Sequence, residues 1–221
     1  MNNFLQILKE KNHILADGAT GTNLFAMGLE TGDPPEPWNI NHRDRIRALH
    51  QGFVDAGSDM FLTNSFGGTS YRLKLHKFED RVFELNKAAG IIAREVADNS
   101  DRLVIVAGAM GPTGEMIEPH GLMTPGEATD AFKAQAEGLV EGGVDVLWLE
   151  TMYSMEELEA ALDAVKDFGR AYFKLPKSKF LFLFVFDEFK FEVQPLSKVF
   201  FLKNSSYGVL KPRVFLGRWL S

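Results

Sequence analysis

A chain of 221 residues with 45% hydrophobic side chains can bury a sizeable core and has the length of one domain to one and a half. Its net charge of −6 argues against a nucleic-acid partner, which demands a basic face, and no apolar run reaches the roughly 18 residues of a membrane span. The sequence contains no cysteine, which excludes disulfides, thiolate metal ligands and a cysteine nucleophile from these residues.

The first ten residues lack a basic segment ahead of their apolar ones, so no signal peptide is expected and the protein reads as cytoplasmic. An apolar run then ends in Asp17-Gly18, followed by the small residues Ala19, Thr20, Gly21 and Thr22. A strand that stops at an acid and opens into a glycine-rich turn sets backbone N–H groups beside a carboxylate. That pairing suits a ligand carrying both a carboxylate and an ammonium, such as an amino acid; equally, it serves as a plain strand-to-helix turn.

Asp33-Pro-Pro-Glu-Pro-Trp38 is a proline-rich connection that excludes a helix interior or a central strand. Asn41 offers an N-cap for a helix reaching Gly57, and Asp59–Asn64 reads as a short strand with a polar end. Helical spacing recurs from Phe78 to Val96, a buried strand follows at Leu103–Gly108, and then a glycine turn at Ala109–Gly114. Thr124-Pro-Gly-Glu127 is a capping box that opens a helix to about Glu141; Val144–Leu149 is the next strand, ending at Glu150-Thr151. Ser154-Met-Glu-Glu157 reads as a second capping box, with its helix reaching Phe168.

Strand and helix thus alternate four times, which implies parallel strands with right-handed crossovers. Both an open doubly wound sheet and a (β/α)8 barrel fit that order, and periodicity does not choose between them. Both architectures build their sites at C-terminal strand ends, where this chain places Asp17-Gly18, Thr63-Asn64, Gly108-Ala109 and Glu150-Thr151. Neither glycine turn has dinucleotide or P-loop spacing, and the five histidines show no metal-binding spacing. The stronger signal is the pair Asp17 and Glu150, which in a barrel point into one mouth and suit an ammonium; on spacing alone they serve equally as a pair of solvated acids.

Composition changes near Gly169. Residues 1–170 hold 15 basic against 27 acidic residues; residues 171–221 hold 9 against 3, together with 10 of the 19 Phe. The alternating runs Phe180–Phe186 and Phe189–Val193 favour extended, aggregation-prone structure or pairing with an open sheet edge. We therefore divide the chain into residues 1–169 and a basic, Phe-rich tail, 170–221. The tail is expected to come from a frameshift, read-through or gene-model error.

Four motifs, Ala16-Asp-Gly-Ala-Thr-Gly-Thr22, Thr63-Asn-Ser-Phe66, Gly108-Ala-Met-Gly-Pro-Thr113 and Trp148-Leu-Glu-Thr151, resemble the homocysteine S-methyltransferase family in order and spacing. The resemblance covers roughly residues 10–169 and is nearest the bacterial betaine-type branch. It implies the first four βα units of a TIM barrel, an α/β fold, and transfer of a methyl group from betaine or a similar donor to the homocysteine thiol. It further implies that Asp17 and Glu150 hold the homocysteine ammonium, that Gly18, Ala19 and Thr20 face its carboxylate, and that Asn64 lies in the barrel mouth. The family's zinc, bound by three cysteines, activates the thiol. No such ligands occur here, so no zinc and no catalytic residue is assigned to this chain. The expectation is a truncated methyltransferase or a non-catalytic, homocysteine-binding half-barrel, prone to self-association through its exposed edges.

Overall fold

The computed structural model describes residues 3–11 and 13–168, and beyond them four strand segments, 171–174, 182–187, 190–195 and 199–201. The alternation folds as expected. Strands β1 (Ile14–Ala16), β2 (Met60–Leu62), β3 (Ile105–Met110) and β4 (Val146–Glu150) lie side by side, each parallel to the next. A fifth strand, β5 (Ala171–Lys174), extends the sheet beyond β4, again parallel, with Glu150 in register with Lys174. The pattern therefore continues one strand past the compositional break. Of the tail's two Phe-rich runs, β6 (Phe182–Asp187) and β7 (Lys190–Pro195) pair antiparallel with each other in a separate two-stranded sheet. The open side of β1 is instead joined by β8 (Val199–Phe201), giving the order β5-β4-β3-β2-β1-β8.

Side chains alternate across the central strands with the period of two that pleating requires. Ile14, Ala16, Met60, Ile105, Ala107, Val146 and Trp148 form one buried face, with Phe4 and Ile7 of α1 (Asn3–Lys11) packed against it. Phe61, Val106, Leu147 and Leu149 point the other way, into the larger core under the helices. That layer consists of α2 (Thr20–Ala26), α3 (Trp38–Asn41), α4 (Arg43–Asp55), α5 (Ser70–Lys74), α6 (Val82–Asp98), α7 (Pro125–Glu141) and α8 (Met155–Val165). None of the described helices is long and apolar enough to cross a membrane.

Two local expectations change. Asn41 does not cap α4: it ends α3, the single turn launched by Pro37, and His42 takes the cap position without a side-chain bond. At α7 the box is complete, with Thr124 Oγ1 accepting from the Glu127 N–H and the Glu127 carboxylate accepting from the Thr124 N–H. At α8 only half of it forms. Ser154 Oγ accepts from the Glu157 N–H at 3.1 Å, but the Glu157 carboxylate turns away to other donors.

The second and fourth strands are entered by equivalent devices. Gly57 and Gly143 take left-handed φ of 97° and 87°, a conformation that favours glycine, and two residues later Asp59 and Asp145 precede their strands. Asp59 Oδ2 accepts from the Leu15 N–H at 3.1 Å, and Asp145 Oδ2 accepts from the Val106 N–H at 2.9 Å. Each aspartate thus locks its strand to the preceding one. With the same offset carried through, Asn64 and Glu150 occupy equivalent places at the exits of β2 and β4.

Candidate substrate-binding site at the strand C-termini

The C-terminal ends of β1 to β4 open into a cavity of about 370 Å³ lined by Asp17, Gly18, Thr20, Gly21, Leu24, Pro35, Leu62, Thr63, Asn64, Ser65, Phe66, Ala109 and Glu150. Five of the six residues expected to bind substrate, Asp17, Gly18, Thr20, Asn64 and Glu150, are thereby brought to one hollow. The sixth, Ala19, is exposed and off the lining. It serves as the N-cap of α2, and its carbonyl accepts from Asn23 Nδ2 at 2.8 Å.

Asp17 is 2% exposed, and its Oδ2 accepts from the Leu62 N–H at 2.8 Å. That charge-assisted bond spans from β1 to β2 and fixes the carboxylate at the mouth. Glu150 is half-buried at the end of β4. Strands β1 and β4 are three ladder steps apart, about 14 Å along a flat sheet at ~4.8 Å per step and less across a curved one. Thr151, next in the chain, has φ of 62°. A β-branched residue in that region costs on the order of 1–3 kcal/mol, so the turn after Glu150 must be held by its surroundings.

Asn64 contributes to the architecture of the mouth. Its Nδ2 donates to the Pro35 carbonyl at 2.8 Å and to Asn39 Oδ1 at 3.1 Å, while Asn39 Nδ2 donates back to the Asn64 carbonyl at 2.8 Å. Both amide hydrogens are thus committed to holding the proline-rich loop over the cavity. Glu36 on the same loop accepts from the Gly67 N–H at 2.7 Å and is 3% exposed. Burial raises its carboxyl above the usual range, opposed by hydrogen bonds to backbone N–H groups and by the charge of Arg72.

The floor is a closed hydroxyl network. Ser65 Oγ donates to the Ala109 carbonyl at 2.8 Å, so the 2.6 Å contact with Thr63 Oγ1 must have Thr63 as donor. Thr63 Oγ1 in turn accepts from the Ala109 N–H at 3.0 Å. Phe66 closes one side, its ring against Gly111, where a Cβ would lie 2.6–2.7 Å from ring carbons. Thr63 and Ala109 were marked from sequence only as strand ends, and Leu24, Pro35, Leu62, Ser65 and Phe66 were not singled out as ligand neighbours. The Thr63–Phe66 motif held Ser65 and Phe66, whereas nothing in the pattern marks Leu24 or Pro35.

Parallel strands flanked by helices, with acidic and glycine-turn residues gathered around a cavity at the C-terminal strand ends, define an α/β protein of the kind that builds (β/α)8 barrels. The sequence model of the homocysteine S-methyltransferase family matches residues 14–197, and the chain belongs to that family. It is 32% identical over 158 residues to the methionine synthase of Mycobacterium tuberculosis (strain ATCC 25618 / H37Rv), an alignment covering 67% of this chain and 13% of that protein. The methionine synthase of Mycobacterium leprae (strain TN) is 30% identical over the same length and shares. Among solved structures, the metallated form of the Escherichia coli homocysteine methyltransferase MmuM aligns with a TM-score of 0.68 and 23% identity. That alignment covers 78% of this chain and 65% of MmuM. The oxidized form of MmuM aligns with a TM-score of 0.66. The fold is that of the first βα units of such a barrel, and the chain spans about two thirds of the solved relative and about an eighth of the curated ones.

Proposed function

We propose that the cavity binds homocysteine, as part of transfer of a methyl group from betaine or a similar donor to its thiol. The carrying observation is that Asp17 and Glu150, from strands three ladder steps apart, line one hollow together with Gly18 and Thr20. An α-amino acid presents an ammonium and a carboxylate on one carbon. The two acids suit the ammonium, and the backbone N–H groups of the Gly18–Thr20 turn suit the carboxylate. Leu24 and Phe66 give the thioalkyl arm an apolar wall. The family's zinc does not fit these residues: the chain has no cysteine, and the described residues hold no cluster of three His, Cys, Asp or Glu side chains. No step through a metal is therefore assigned. These 221 residues hold the amino-acid end of the substrate without supplying the group that activates its sulfur.

Thermal unfolding with increasing homocysteine tests the reading. Ligand that binds only the folded state raises Tm with concentration, by about 2.7 kcal/mol of stability at a hundredfold excess over Kd. An unchanged Tm at tens of millimolar homocysteine contradicts it.

A further inference from the structure

Glu157 sits at the third position of α8, where a capping-box glutamate ordinarily folds back onto its own N-cap. Here its carboxylate is 1% exposed and reaches across to the loop after β3. Oε1 accepts from the Thr113 N–H at 2.9 Å and from Thr113 Oγ1–H at 2.7 Å, and Oε2 accepts from the Tyr153 N–H at 3.0 Å. Three donors converge on one buried, acceptor-only group. One end of this bridge lies four residues beyond Ala109, which lines the cavity; the other lies three residues beyond Glu150. Between Glu150 and Tyr153 stands Thr151, with its left-handed φ of 62°.

We infer that Glu157, clamped to Thr113, is a positioning residue that holds the strained turn 151–153 and thereby aims the Glu150 carboxylate at the substrate ammonium; this rests on the homocysteine reading above. Only a carboxylate serves all three donors. A glutamine keeps one acceptor oxygen but sets an NH2 group against either the Tyr153 N–H or the Thr113 donors. The Glu157 carboxylate does not line the cavity, so its loss acts through the two segments it ties, the turn that carries Glu150 and the loop beyond Ala109, and the ammonium preference reads the first of these.

The test uses the full chain, as wild type, Glu157→Gln and Thr113→Val, the last removing one O–H donor to Glu157, and the acceptor of the Glu115 N–H, with little change of shape. Two quantities are measured: hydrogen exchange of the 149–155 segment, and the ratio of Kd values for homocysteine and its des-amino analogue, 4-sulfanylbutanoate. Wild type is expected to favour homocysteine by about tenfold or more, and Glu157→Gln to lose most of that preference, as expected when a buried charge-pairing partner is misplaced. The analogue's own Kd stays within about twofold, and exchange at Met152 and Tyr153 accelerates. Thr113→Val shifts both quantities in the same direction by a smaller factor. Equal weakening of both ligands, or an unchanged ratio, overturns the inference, because a general loss of structure does not select for the ammonium. Wild type that binds neither ligand overturns the homocysteine reading instead, and unaltered exchange in both variants then disposes of the clamp as well.

Discussion

His50 is the most informative residue outside the site. It lies on the inward face of α4, fully buried, with its ring stacked on Phe61 at 4.8 Å between centroids and 28° between planes. Neither ring nitrogen has a hydrogen-bond partner. Burial alone lowers its pKa from 6.5 to about 3, so the folded chain holds the imidazole neutral where the unfolded chain protonates it. With the folded pKa below the unfolded one, the native state binds fewer protons, and stability present above pH 6.5 is lost as pH falls from there toward 3. At about 1.36 kcal/mol per pH unit, the loss from pH 7.5 to pH 5 is about 2 kcal/mol, and about 3 kcal/mol by pH 4. Glu36 acts in the opposite sense. Its raised carboxyl pKa contributes stability that is full below the unfolded carboxylate value and declines as pH rises through the folded one. The His50 contribution is therefore isolated as the difference between wild type and His50→Leu, a close match in volume that removes two unpartnered nitrogens. Urea unfolding followed by tryptophan fluorescence at pH 7.5, 6, 5 and 4 gives both curves. At pH 7.5 the variant is expected within about 1–2 kcal/mol of wild type, since lost stacking offsets relief of the unpaired polar atoms. By pH 5 the difference should move in the variant's favour by about 2 kcal/mol. Parallel curves with no growing gap would refute the reasoning.

Other consequences follow from the same structure. Gly68→Ala places a Cβ against Asn86 Oδ1 and within 2.7 Å of Gln135 Nε2. Both side chains are anchored, Asn86 to the Gly68 and Val82 carbonyls and Gln135 to the Ser65 carbonyl. Denaturation should show a loss of about 2–4 kcal/mol, and a neutral result would show that the buried amides can move aside. The isolated chain is expected to bind no stoichiometric zinc by elemental analysis and to form no methionine from homocysteine and betaine; measurable turnover would overturn the weight placed on its missing cysteines. Strands β5 and β8 end the sheet without a further partner among the described residues, so light scattering should detect self-association. A monodisperse monomer at high concentration counts against it.

The fold was legible where local chemistry and tertiary demand agree. Thr124 and Glu127 cap α7 as their spacing requires, and the buried strand read at Leu103–Gly108 stands as β3, shifted two residues to Ile105–Met110 so that it takes in the first two residues of the expected glycine turn. Asp17 and Glu150 were legible as strand-end acids, and the structure brings both to one cavity, because an acid at the end of an apolar run is a costly place for a charge unless it has a partner. Reading Glu157 as a second capping box failed because the same four-residue pattern satisfies two geometries. The carboxylate chose the Thr113 donors on a loop 44 residues away, a competition that no local window contains. Asn64 does line the cavity, but its amide hydrogens go to Pro35 and Asn39, a part in holding the loop that sequence separation hides. The break near Gly169 marks a change of composition but not the end of the parallel sheet, since β5 lies beyond it and the family match runs to residue 197.

The central claim is that Asp17 and Glu150 together hold the ammonium of homocysteine. Isothermal titration of homocysteine into the full chain, its Glu150→Gln variant and its Asp17→Asn variant tests it most directly. Wild type is expected to bind saturably, one to one, and Glu150→Gln about ten- to a hundredfold more weakly, as expected for removing one charge of a partly desolvated pair. Asp17→Asn should lose at least as much, with some stability as well, because the same carboxylate anchors the Leu62 N–H. Equal affinity of all three proteins for homocysteine, or no saturable binding to wild type, contradicts it.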